Sequence, residues 1–313
     1  MRTFVTGGTG FLGGRLVERL RGRGDEVVVL VRSPARAARL EALGCELVKG
    51  DLGSRDALTR GMRGCDAVFH VAADYRIGIP ASERGRMFAA NVTGTLNVLD
   101  AAVSVRRIVY VSTNNVVGNT RGELVDETYV RSDRTWLSAY DESKFDANEI
   151  VRKRIADGAP IVVAQPGGIY GPGDHTDMGR ILERAVRGKP VLLALGGVGL
   201  NWVHVDDVAD GLLLAHDRGE VGETYILGGE LGTLRQAVEK AFEIGGHRPR
   251  IVSIPTGLLR LAAPLGSLLG RNVREYLSAA DGVTYWGKDD KARRELGYRP
   301  ASLDAGLRRI FAR

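Results

Sequence analysis

The sequence predicts an α/β fold in which a doubly wound parallel sheet is followed by a smaller lobe. Through the first half, short apolar runs alternate with segments of helical periodicity, which is the pattern of repeated strand–helix–strand units. A glycine-rich loop at residues 7–13 joins the first run to the first helical segment. After Pro166 a second glycine-rich stretch, 167–173, opens a less regular half. Together these observations predict a Rossmann doubly wound parallel sheet with a smaller C-terminal substrate-binding lobe.

The predicted strands of the main sheet are short and mostly apolar. The run 26–31 is nearly continuous in valine and leucine, as expected for a parallel strand that is buried on both faces. The residues assigned to strands are 2–6, 26–31, 46–49, 67–71, 108–111, 161–164 and 225–227. Segment 10–23 carries apolar residues at helical spacing, and the helices assigned to the first half are 10–23, 34–43, 54–62, 87–103 and 139–154.

The second half is predicted to alternate between the two units. Its assigned elements are a helix at 178–187, a strand at 190–194, helices at 204–216 and near 231–243, and an apolar segment at 258–269. Because 225–227 is typical of one more strand of the main sheet, the chain is expected to cross between the units more than once. We therefore assign 1–166 plus about 202–228 to the Rossmann domain, and about 167–201 plus 229–313 to the substrate-binding lobe.

Composition indicates an ordinary cytoplasmic protein. With 313 residues and 44% hydrophobic content, the chain can bury a large core. The apolar segment 258–269 is shorter than the roughly 20 residues of a membrane span, and glycines interrupt any signal-like N-terminus. Cys45 and Cys65 are expected to be free thiols in a reducing compartment. The net charge of +6 comes from arginines scattered beside acids, so we expect a solvated basic surface rather than a nucleic-acid site.

The first glycine-rich loop has the spacing of a dinucleotide-binding turn. Gly8, Gly10 and Gly13 satisfy G-x-G-x-x-G, and Gly7 with the last two satisfies G-x-x-G-x-x-G. Such glycines allow a tight turn and let the backbone approach a pyrophosphate, which the N-terminus of the next helix attracts. The motif alone is weak, but its place between a strand and a helix makes it specific. The residues of this loop assigned to cofactor binding are Gly7, Gly10, Phe11, Leu12 and Gly13.

The end of the second strand favours NADP(H) over NAD(H). NAD-preferring proteins usually place an acid there to bind the ribose 2′-hydroxyl, whereas this sequence reads Leu30-Val31-Arg32-Ser33. Arg32 can instead pair with a 2′-phosphate, with Arg36 or Arg39 behind it. The alternative is that these arginines are solvated helix residues and that the cofactor is NAD(H).

The candidate chemistry lies in Tyr140 and Lys144, which share one face of a helix at i and i+4. A free tyrosine has a pKa near 10. A neighbouring ammonium and the positive charge of an oxidised nicotinamide both favour the phenolate, so this pair can move a proton at neutral pH. The strand at 108–111 ends on Ser112 and Thr113. Because strand C-termini line the ligand crevice of a doubly wound sheet, we expect Thr113 or Ser112 to hydrogen-bond a substrate oxygen.

These motifs, in this order, resemble the extended short-chain dehydrogenase/reductase family, the NAD-dependent epimerases and dehydratases. The segment 69–76 resembles in particular the dihydroflavonol-4-reductase-like and hopanoid-associated sugar epimerase-like branch. The resemblance extends over nearly the whole chain. Its motifs are Asp51-Leu52, Val71-Ala72-Ala73, Asn91-Val92-Thr93-Gly94-Thr95, Tyr140 to Lys144, Gln165-Pro166-Gly167 and His204-Val205-Asp206-Asp207.

The resemblance implies a role for several of these residues. Asp51 and Leu52 would bind adenine, and Val71, Ala72 and Ala73 would lie along the cofactor. Asn91 would stand near the nicotinamide ribose, which Lys144 would also bind together with Tyr140, and Pro166 would pass beside the carboxamide. Thr113 takes the position of the catalytic Ser/Thr. The same resemblance suggests a homodimer formed through helices 87–103 and 139–154.

Departures from the family pattern narrow the reaction. Where 4,6-dehydratases carry Thr-Asp-Glu, this sequence has Thr113-Asn114-Asn115, so we expect no dehydration. Gly168 stands where sugar-nucleotide members often have Asn, and the stretch 200–203 lacks the arginine that would bind a diphosphate. Gly118 replaces the substrate-binding Asn of the plant flavonoid reductases.

Other chemistries find no support in the sequence. The five histidines lack metal-ligand spacing, and His204 is expected to be a packed structural residue. There is neither a P-loop lysine nor a G-x-S-x-G elbow.

The sequence therefore predicts an NADP(H)-preferring dehydrogenase or reductase acting on a secondary alcohol or ketone. The alternatives are a sugar epimerase using the same residues and a dinucleotide-sensing regulator without turnover. We expect a largely apolar substrate, with Leu200, Trp202 and segment 258–265 near the cleft. For that segment, a buried helix packing the small lobe is an equally good interpretation. Arg271 and Arg274 would be the candidates for binding a diphosphate instead.

Overall fold

A parallel sheet forms the centre of the molecule. The computed structural model describes residues 1–132, 134–268, 270 and 272–311. Its strands are β1 Arg2–Thr6, β2 Glu26–Val31, β3 Glu46–Lys49, β4 Ala67–His70, β5 Arg107–Val111, β6 Ile161–Pro166, β7 Gly168–Tyr170, β8 Val191–Ala194, β9 Gly199–His204, β10 Thr224–Leu227, β11 Glu230–Thr233 and β12 Ile251–Ile254. In the described part of the chain, seven of them form one sheet in the order β10-β6-β5-β4-β1-β2-β3, and every pairing in it is parallel.

Helices cover both faces of this sheet, as a parallel sheet requires. The helices are α1 Phe11–Gly22, α2 Ala38–Ala42, α3 Arg55–Met62, α4 Ala81–Phe88, α5 Gly94–Ala101, α6 Ala139–Ala156, α7 Asp177–Val186, α8 Val205–Arg218, α9 Leu234–Ile244, α10 Thr256–Leu268, α11 Val273–Ala280 and α12 Leu303–Phe311. On one face Leu16 of α1 and Leu212 of α8 belong to the same buried cluster as Val29 of β2. On the other, Leu58 of α3 and Val151 of α6 belong to the cluster around the sheet.

A second hydrophobic cluster lies away from the main sheet. Strands β11, β9 and β7 form one small sheet, and β12 pairs with β8 in another. Helices α7 and α9 pack on each other, and α12 packs on α9 and β9. Leu182, Trp202 and Phe242 are fully buried in this cluster. These elements enclose a core of their own, on which the predicted substrate-binding lobe is built.

The prediction for the main sheet is confirmed, including the late strand. β10 lies beside β6 at the edge of the sheet, so the chain returns to the sheet as expected for 225–227. β9 spans 199–204 and so crosses the predicted boundary near 202. The division of the chain into two units remains a prediction.

Four predicted elements differ in detail. The stretch 167–173, predicted to be a loop, contains β7, whose partner β9 is distant in sequence. Residues 231–233 belong to β11, and α9 begins only at Leu234 because Thr233 and Gln236 form a capping box there. Segment 87–103 is interrupted by a π-helical turn at Ala89–Thr93. Segment 34–43 divides into a 3-10 turn, Pro34–Arg36, and the short α2.

Within the described ranges, no helix combines the length and apolarity needed to cross a bilayer. Cys45 and Cys65 are both buried and unbridged, as expected. A cytoplasmic location remains a prediction.

Candidate active site

The glycine loop lies between β1 and β4, where the strand order of the sheet reverses. Gly7 has φ +76°, and a Cβ there would lie 2.8 Å from the Ala72 backbone nitrogen. A Cβ on Gly13 would lie 2.1 Å from the Gly7 carbonyl oxygen. Side chains at these two positions would collide with backbone, so the close approach of loop, helix and strand requires glycine. In doubly wound sheets this crevice is the ligand site.

The N-terminus of α1 faces this crevice with its donors available. Its N-cap, Gly10, offers no side-chain cap, and the first turn carries no acid. The leading N–H groups of a helix lack intrahelical acceptors and favour an anion, and here they include those of Phe11 and Leu12. The loop after β7 passes close by, since Arg15 donates to the Pro172 carbonyl oxygen at 3.2 Å. The protein therefore offers a cradle that fits a pyrophosphate.

The arginines after β2 are in different situations. Arg32 is exposed and has no ion-pair or hydrogen-bond partner among the described residues. Arg39 is already paired with Glu18 of α1. The Arg36 side chain lies outside what the structure describes. Of the two arginines whose side chains the structure describes, Arg32 is the one that could bind a 2′-phosphate without giving up an ion pair.

The residues assigned to adenine follow β3. Asp51 is exposed, and its Oδ1 accepts hydrogen bonds from the Gly53 backbone at 3.0 Å and the Ser54 hydroxyl at 2.7 Å. These bonds form the turn before α3. Leu52 packs on the backbone of Gly94, where a Cβ would lie 2.8 Å from it. This brings the turn against α5.

Asn91 is buried, and its side-chain amide forms hydrogen bonds with other residues of the protein. Its Oδ1 accepts from the Asp74 N–H at 2.7 Å, and its Nδ2 donates to the Asp74 carbonyl at 3.1 Å and to the Ser143 hydroxyl at 2.9 Å. It therefore joins the segment after β4, which contains Val71, Ala72 and Ala73, to α6. The contact of Asn91 with ribose that the resemblance implies remains a prediction. Pro166 is buried at the end of β6, and its predicted place beside the carboxamide also remains a prediction.

Thr113 and Tyr140 come together although they are distant in sequence. Thr113 follows β5, and Tyr140 lies in the first turn of α6, whose N-cap Ser138 accepts from the Asp141 N–H at 3.0 Å. The Thr113 hydroxyl lies near the Tyr140 phenol, close enough to influence its pKa. The fold thus places two hydroxyl groups side by side at the carboxyl edge of the sheet. Ser112 instead donates to Asn148 at 2.9 Å and is buried.

Burial raises the pKa of Tyr140 above its ordinary value, nearby Tyr75 adds to this, and the Thr113 hydroxyl opposes it. Taken together, the protein groups raise this pKa, contrary to the expectation that Lys144 would lower it. The Lys144 ammonium donates to the Tyr110 phenol and to the Val111 carbonyl, each at 3.1 Å. Burial also lowers the pKa of Lys144 to about 7, so its charge is partial at neutral pH.

A row of buried polar side chains lies behind Lys144 and was not predicted from the sequence. The two ring nitrogens of His70 contact the Thr6 hydroxyl at 2.8 Å and the Thr95 hydroxyl at 3.0 Å. Thr95 in turn lies near Tyr110 and lowers the pKa of its phenol. Burial and the nearby Lys144 lower the pKa of His70 to about 3, so this imidazole is neutral. Polar residues in otherwise apolar strands were the signal that could have revealed it.

Arg131 and Asp141 form a buried ion pair next to Tyr140. Arg131 Nη1 lies 2.8 Å from Asp141 Oδ1, and their side chains are 5% and 0% exposed. The guanidinium also lies over the Trp136 ring, at 4.8 Å. Gly118 leaves room for it, since a Cβ there would lie 2.9 Å from Arg131 Cζ. The position that carries Asn in flavonoid reductases thus accommodates an arginine here.

The pocket prediction needs correction at Trp202, and for Leu200 it stays a prediction. Both are buried in β9, and the Trp202 indole donates to the Gly232 carbonyl at 3.0 Å within the second core. The Trp202 side chain therefore belongs to this core, whereas Leu200 is as buried as Thr113, each being 8% exposed. In α10, Leu258 and Leu261 are 58% and 79% exposed, so this part of the helix is not buried. Arg271 lies outside the described residues, and Arg274 is exposed.

Two further predictions concern asparagine and histidine. Buried Asn114 donates to the Tyr285 carbonyl at 2.6 Å, whereas Asn115 stays beside Thr113. His204 is 1% exposed and caps α8 by accepting from the Asp206 N–H at 3.2 Å, which suits a structural residue. Among the described residues no cluster of three or more His, Cys, Asp or Glu side chains could hold a metal.

Comparison with known families agrees with this geometry. The profile of the NAD dependent epimerase/dehydratase family matches residues 3–228. The chain belongs to this family. As an NAD-dependent epimerase/dehydratase family member, it is an extended short-chain dehydrogenase/reductase with a Rossmann fold and a nicotinamide-dependent oxidoreductase chemistry.

Relatives resemble this family member over almost its whole length. A 4-hydroxy-2-methyl-3-oxo-4-farnesyl-3,4-dihydroquinoline-1-oxide ketoreductase of Stigmatella aurantiaca is 38% identical over 311 residues, covering 95% of this chain and 92% of the relative. A 3 beta-hydroxysteroid dehydrogenase/Delta 5-->4-isomerase of Mycobacterium tuberculosis is 31% identical over 328 residues, covering 96% and 86%.

The fold also matches solved structures. The crystal structure of gox2253 superposes with a TM-score of 0.83 at 33% identity, covering 99% of this chain and 96% of that one. A DesIV double mutant, a dTDP-glucose 4,6-dehydratase from Streptomyces venezuelae with NAD and DAU bound, gives 0.78 at 28% identity, with 99% and 95% covered.

Proposed function

We propose that this protein interconverts a ketone and a secondary alcohol on a largely apolar small molecule, with NADP(H) as its preferred cofactor. The observation that carries the proposal is that the hydroxyl of Thr113 lies close enough to the phenol of Tyr140 to lower its pKa, next to buried Lys144. All three residues lie at the carboxyl edge of the sheet. The glycine cradle lies at the same edge, between β1 and β4.

The residues divide the work as follows. When bound, the nicotinamide supplies or accepts a hydride at the substrate carbon. Thr113 donates a hydrogen bond to the substrate oxygen, and Tyr140 Oη gives that oxygen a proton as the carbonyl becomes an alcohol. The reverse reaction returns the proton to Tyr140. Since burial raises the pKa of Tyr140, the phenol is held in the protonated form that reduction needs, and an oxidised nicotinamide would favour the phenolate.

Charge around the site supports a neutral substrate over a nucleotide diphosphate. Arg76 is paired with Asp74 and Glu83, Arg84 with Glu142, and Arg131 with Asp141. A diphosphate would have to break such a pair to gain any of these three arginines as a partner, whereas Arg274 is exposed. The farnesyl and steroid groups in the relatives' names point the same way.

Two alternatives stay open. An epimerase would use the same three residues to oxidise a sugar carbon and reduce it again on the other face. A dinucleotide-sensing regulator would bind cofactor without turnover, but it would have no use for the Thr113–Tyr140 pair. Dehydration is not proposed, because Asn114 and Asn115 stand where that reaction needs acids.

Turnover and binding can be measured with the same preparation. We expect the protein to oxidise NADPH with a 3-oxosteroid or a prenylated ketone, and UDP- and GDP-sugars to leave its melting temperature unchanged in the presence of cofactor. Saturable stabilisation by a nucleotide sugar at micromolar concentration would favour the epimerase. Cofactor binding with no turnover on either class would favour the regulator.

A further inference from the structure

Tyr75 lies against the residue that we propose moves the proton. It follows the segment 71–73, which the family resemblance places along the cofactor. Its ring meets that of Tyr140 edge-on, with centroids 4.8 Å apart and planes at 85°. A substrate oxygen bonded to Tyr140 would therefore bring the neighbouring substrate atoms within reach of Tyr75.

The surroundings of Tyr75 are those of a side chain on the wall of an open cleft. Burial among protein atoms, together with Tyr276 and the Asp174 and Asp177 carboxylates, raises its pKa to about 12. Nevertheless 45% of its surface remains accessible. A residue on a convex surface would lack the surrounding protein, and a core residue would lack the accessibility. The combination indicates a concave, solvent-accessible position.

The facing part of the cleft comes from α11. The Tyr276 ring covers Gly78, where a Cβ would lie 2.3 Å from it, and its hydroxyl donates to Asp177 at 3.3 Å. Glu275 accepts from the Ala139 N–H at 2.7 Å, which fixes α11 to the start of α6. The segment around Tyr75 and α11 are thus held together around the mouth of the site.

We propose that Tyr75 is a specificity-determining residue, whose accessible ring face packs against the apolar body of the substrate beside the reacting carbonyl. This assignment rests on the proposed function and adds to it the residue that selects for substrate size. An aromatic ring is suited to this because it offers a broad, rigid apolar face at little entropic cost. The hydroxyl of Tyr75 is not needed for the contact, so phenylalanine should replace it.

The test compares a large ketone with a small one. The kcat/KM values of wild type, Tyr75→Phe, Tyr75→Leu and Tyr75→Ala are measured with NADPH and either a 3-oxosteroid or cyclohexanone. We expect the ratio of steroid to cyclohexanone kcat/KM to fall at least tenfold in Tyr75→Ala, to fall less in Tyr75→Leu, and to stay within twofold in Tyr75→Phe. Melting temperatures check that each variant is folded.

The outcomes separate this assignment from the proposed function. If wild type reduces both ketones but Tyr75→Ala lowers both values by the same factor, Tyr75 acts on Tyr140 and not on the substrate, and the assignment is wrong. A loss of the ratio in Tyr75→Phe would show that the hydroxyl is required, which also contradicts it. If wild type binds NADPH yet reduces neither ketone, the proposed function itself fails.

Discussion

The ammonium of Lys144 donates a hydrogen bond of 3.1 Å to the phenol of Tyr110, a residue of β5. The same ammonium reaches the Val111 carbonyl. The lysine is therefore held by the strand beside it, and its orientation toward a ribose would be set by Tyr110 and the neutral His70 chain behind that tyrosine.

The buried ammonium makes stability depend on pH. The pKa of Lys144 is lowered to about 7 in the folded protein, against about 10.4 in an unfolded chain. Between these values the unfolded chain holds a proton that the folded one has released, so the free energy of unfolding rises with pH through this window. Below pH 7 lysine is charged in both states and its burial costs most.

Lys144→Met removes this titration. Without added cofactor, we expect the stability difference between wild type and Lys144→Met to shift toward wild type by a few kcal/mol between about pH 6.5 and pH 9.5. Urea unfolding at several pH values measures it. Parallel stability curves for the two proteins would contradict the lowered pKa.

Tyr140→Phe should abolish turnover and leave NADPH affinity within a few-fold. In the proposed mechanism the phenol supplies the proton, whereas the glycine cradle would bind the dinucleotide. Steady-state kinetics and calorimetry measure the two effects on one preparation. Activity at a tenth of wild type or above would rule out Tyr140 as the acid.

Arg32→Ala should narrow the proposed preference for NADPH over NADH, because it would remove the proposed charge-assisted pair with the 2′-phosphate. Arg39→Ala is the matched control. Since Arg39 is already paired with Glu18, its loss should change the NADPH/NADH affinity ratio less. Equal affinity of wild type for both cofactors, or a larger effect at Arg39, would refute the assignment.

Gly13→Ala should weaken both folding and cofactor binding, since the new Cβ would lie 2.1 Å from the Gly7 carbonyl oxygen. Gly14 is the control. A Cβ there meets nothing closer than the Gly8 carbonyl oxygen at 3.6 Å, and alanine is favoured over glycine within a helix by up to about 1 kcal/mol. Thermal unfolding with and without NADPH should therefore separate the two variants, and similar behaviour would contradict the packing of the loop.

Arg131→Met should destabilise the protein by about 3–5 kcal/mol, because it leaves the Asp141 carboxylate buried without its partner. Arg308→Met provides the comparison. It breaks an exposed pair with Asp304 in α12 and should cost at most about 1 kcal/mol. Equal losses of unfolding free energy in the two variants would show that the buried Arg131–Asp141 pair contributes no more to stability than an exposed pair.

The amino-acid sequence by itself determined the parallel sheet, the glycine loop and the register of Tyr140 and Lys144 on one helix face. Each of these depends on residues close together in the chain, where apolar period, glycine spacing and the i,i+4 geometry of a helix act directly. The same local reasoning placed 225–227 in the main sheet. It failed at 231–233 because their strand partner, β9, is about 30 residues away.

The contacts between segments that are distant in sequence were decided only by the tertiary structure. Sequence spacing put Lys144 beside Tyr140, but packing of α6 on β5 directs its ammonium to Tyr110. The sequence predicted Trp202 near the pocket. Its strand, β9, instead lies between β11 and β7, and its indole donates to the Gly232 carbonyl. The edge-on approach of Tyr75 to Tyr140 joins residues 65 positions apart. Such contacts follow from how helices and strands pack in three dimensions, which no local pattern of side chains encodes.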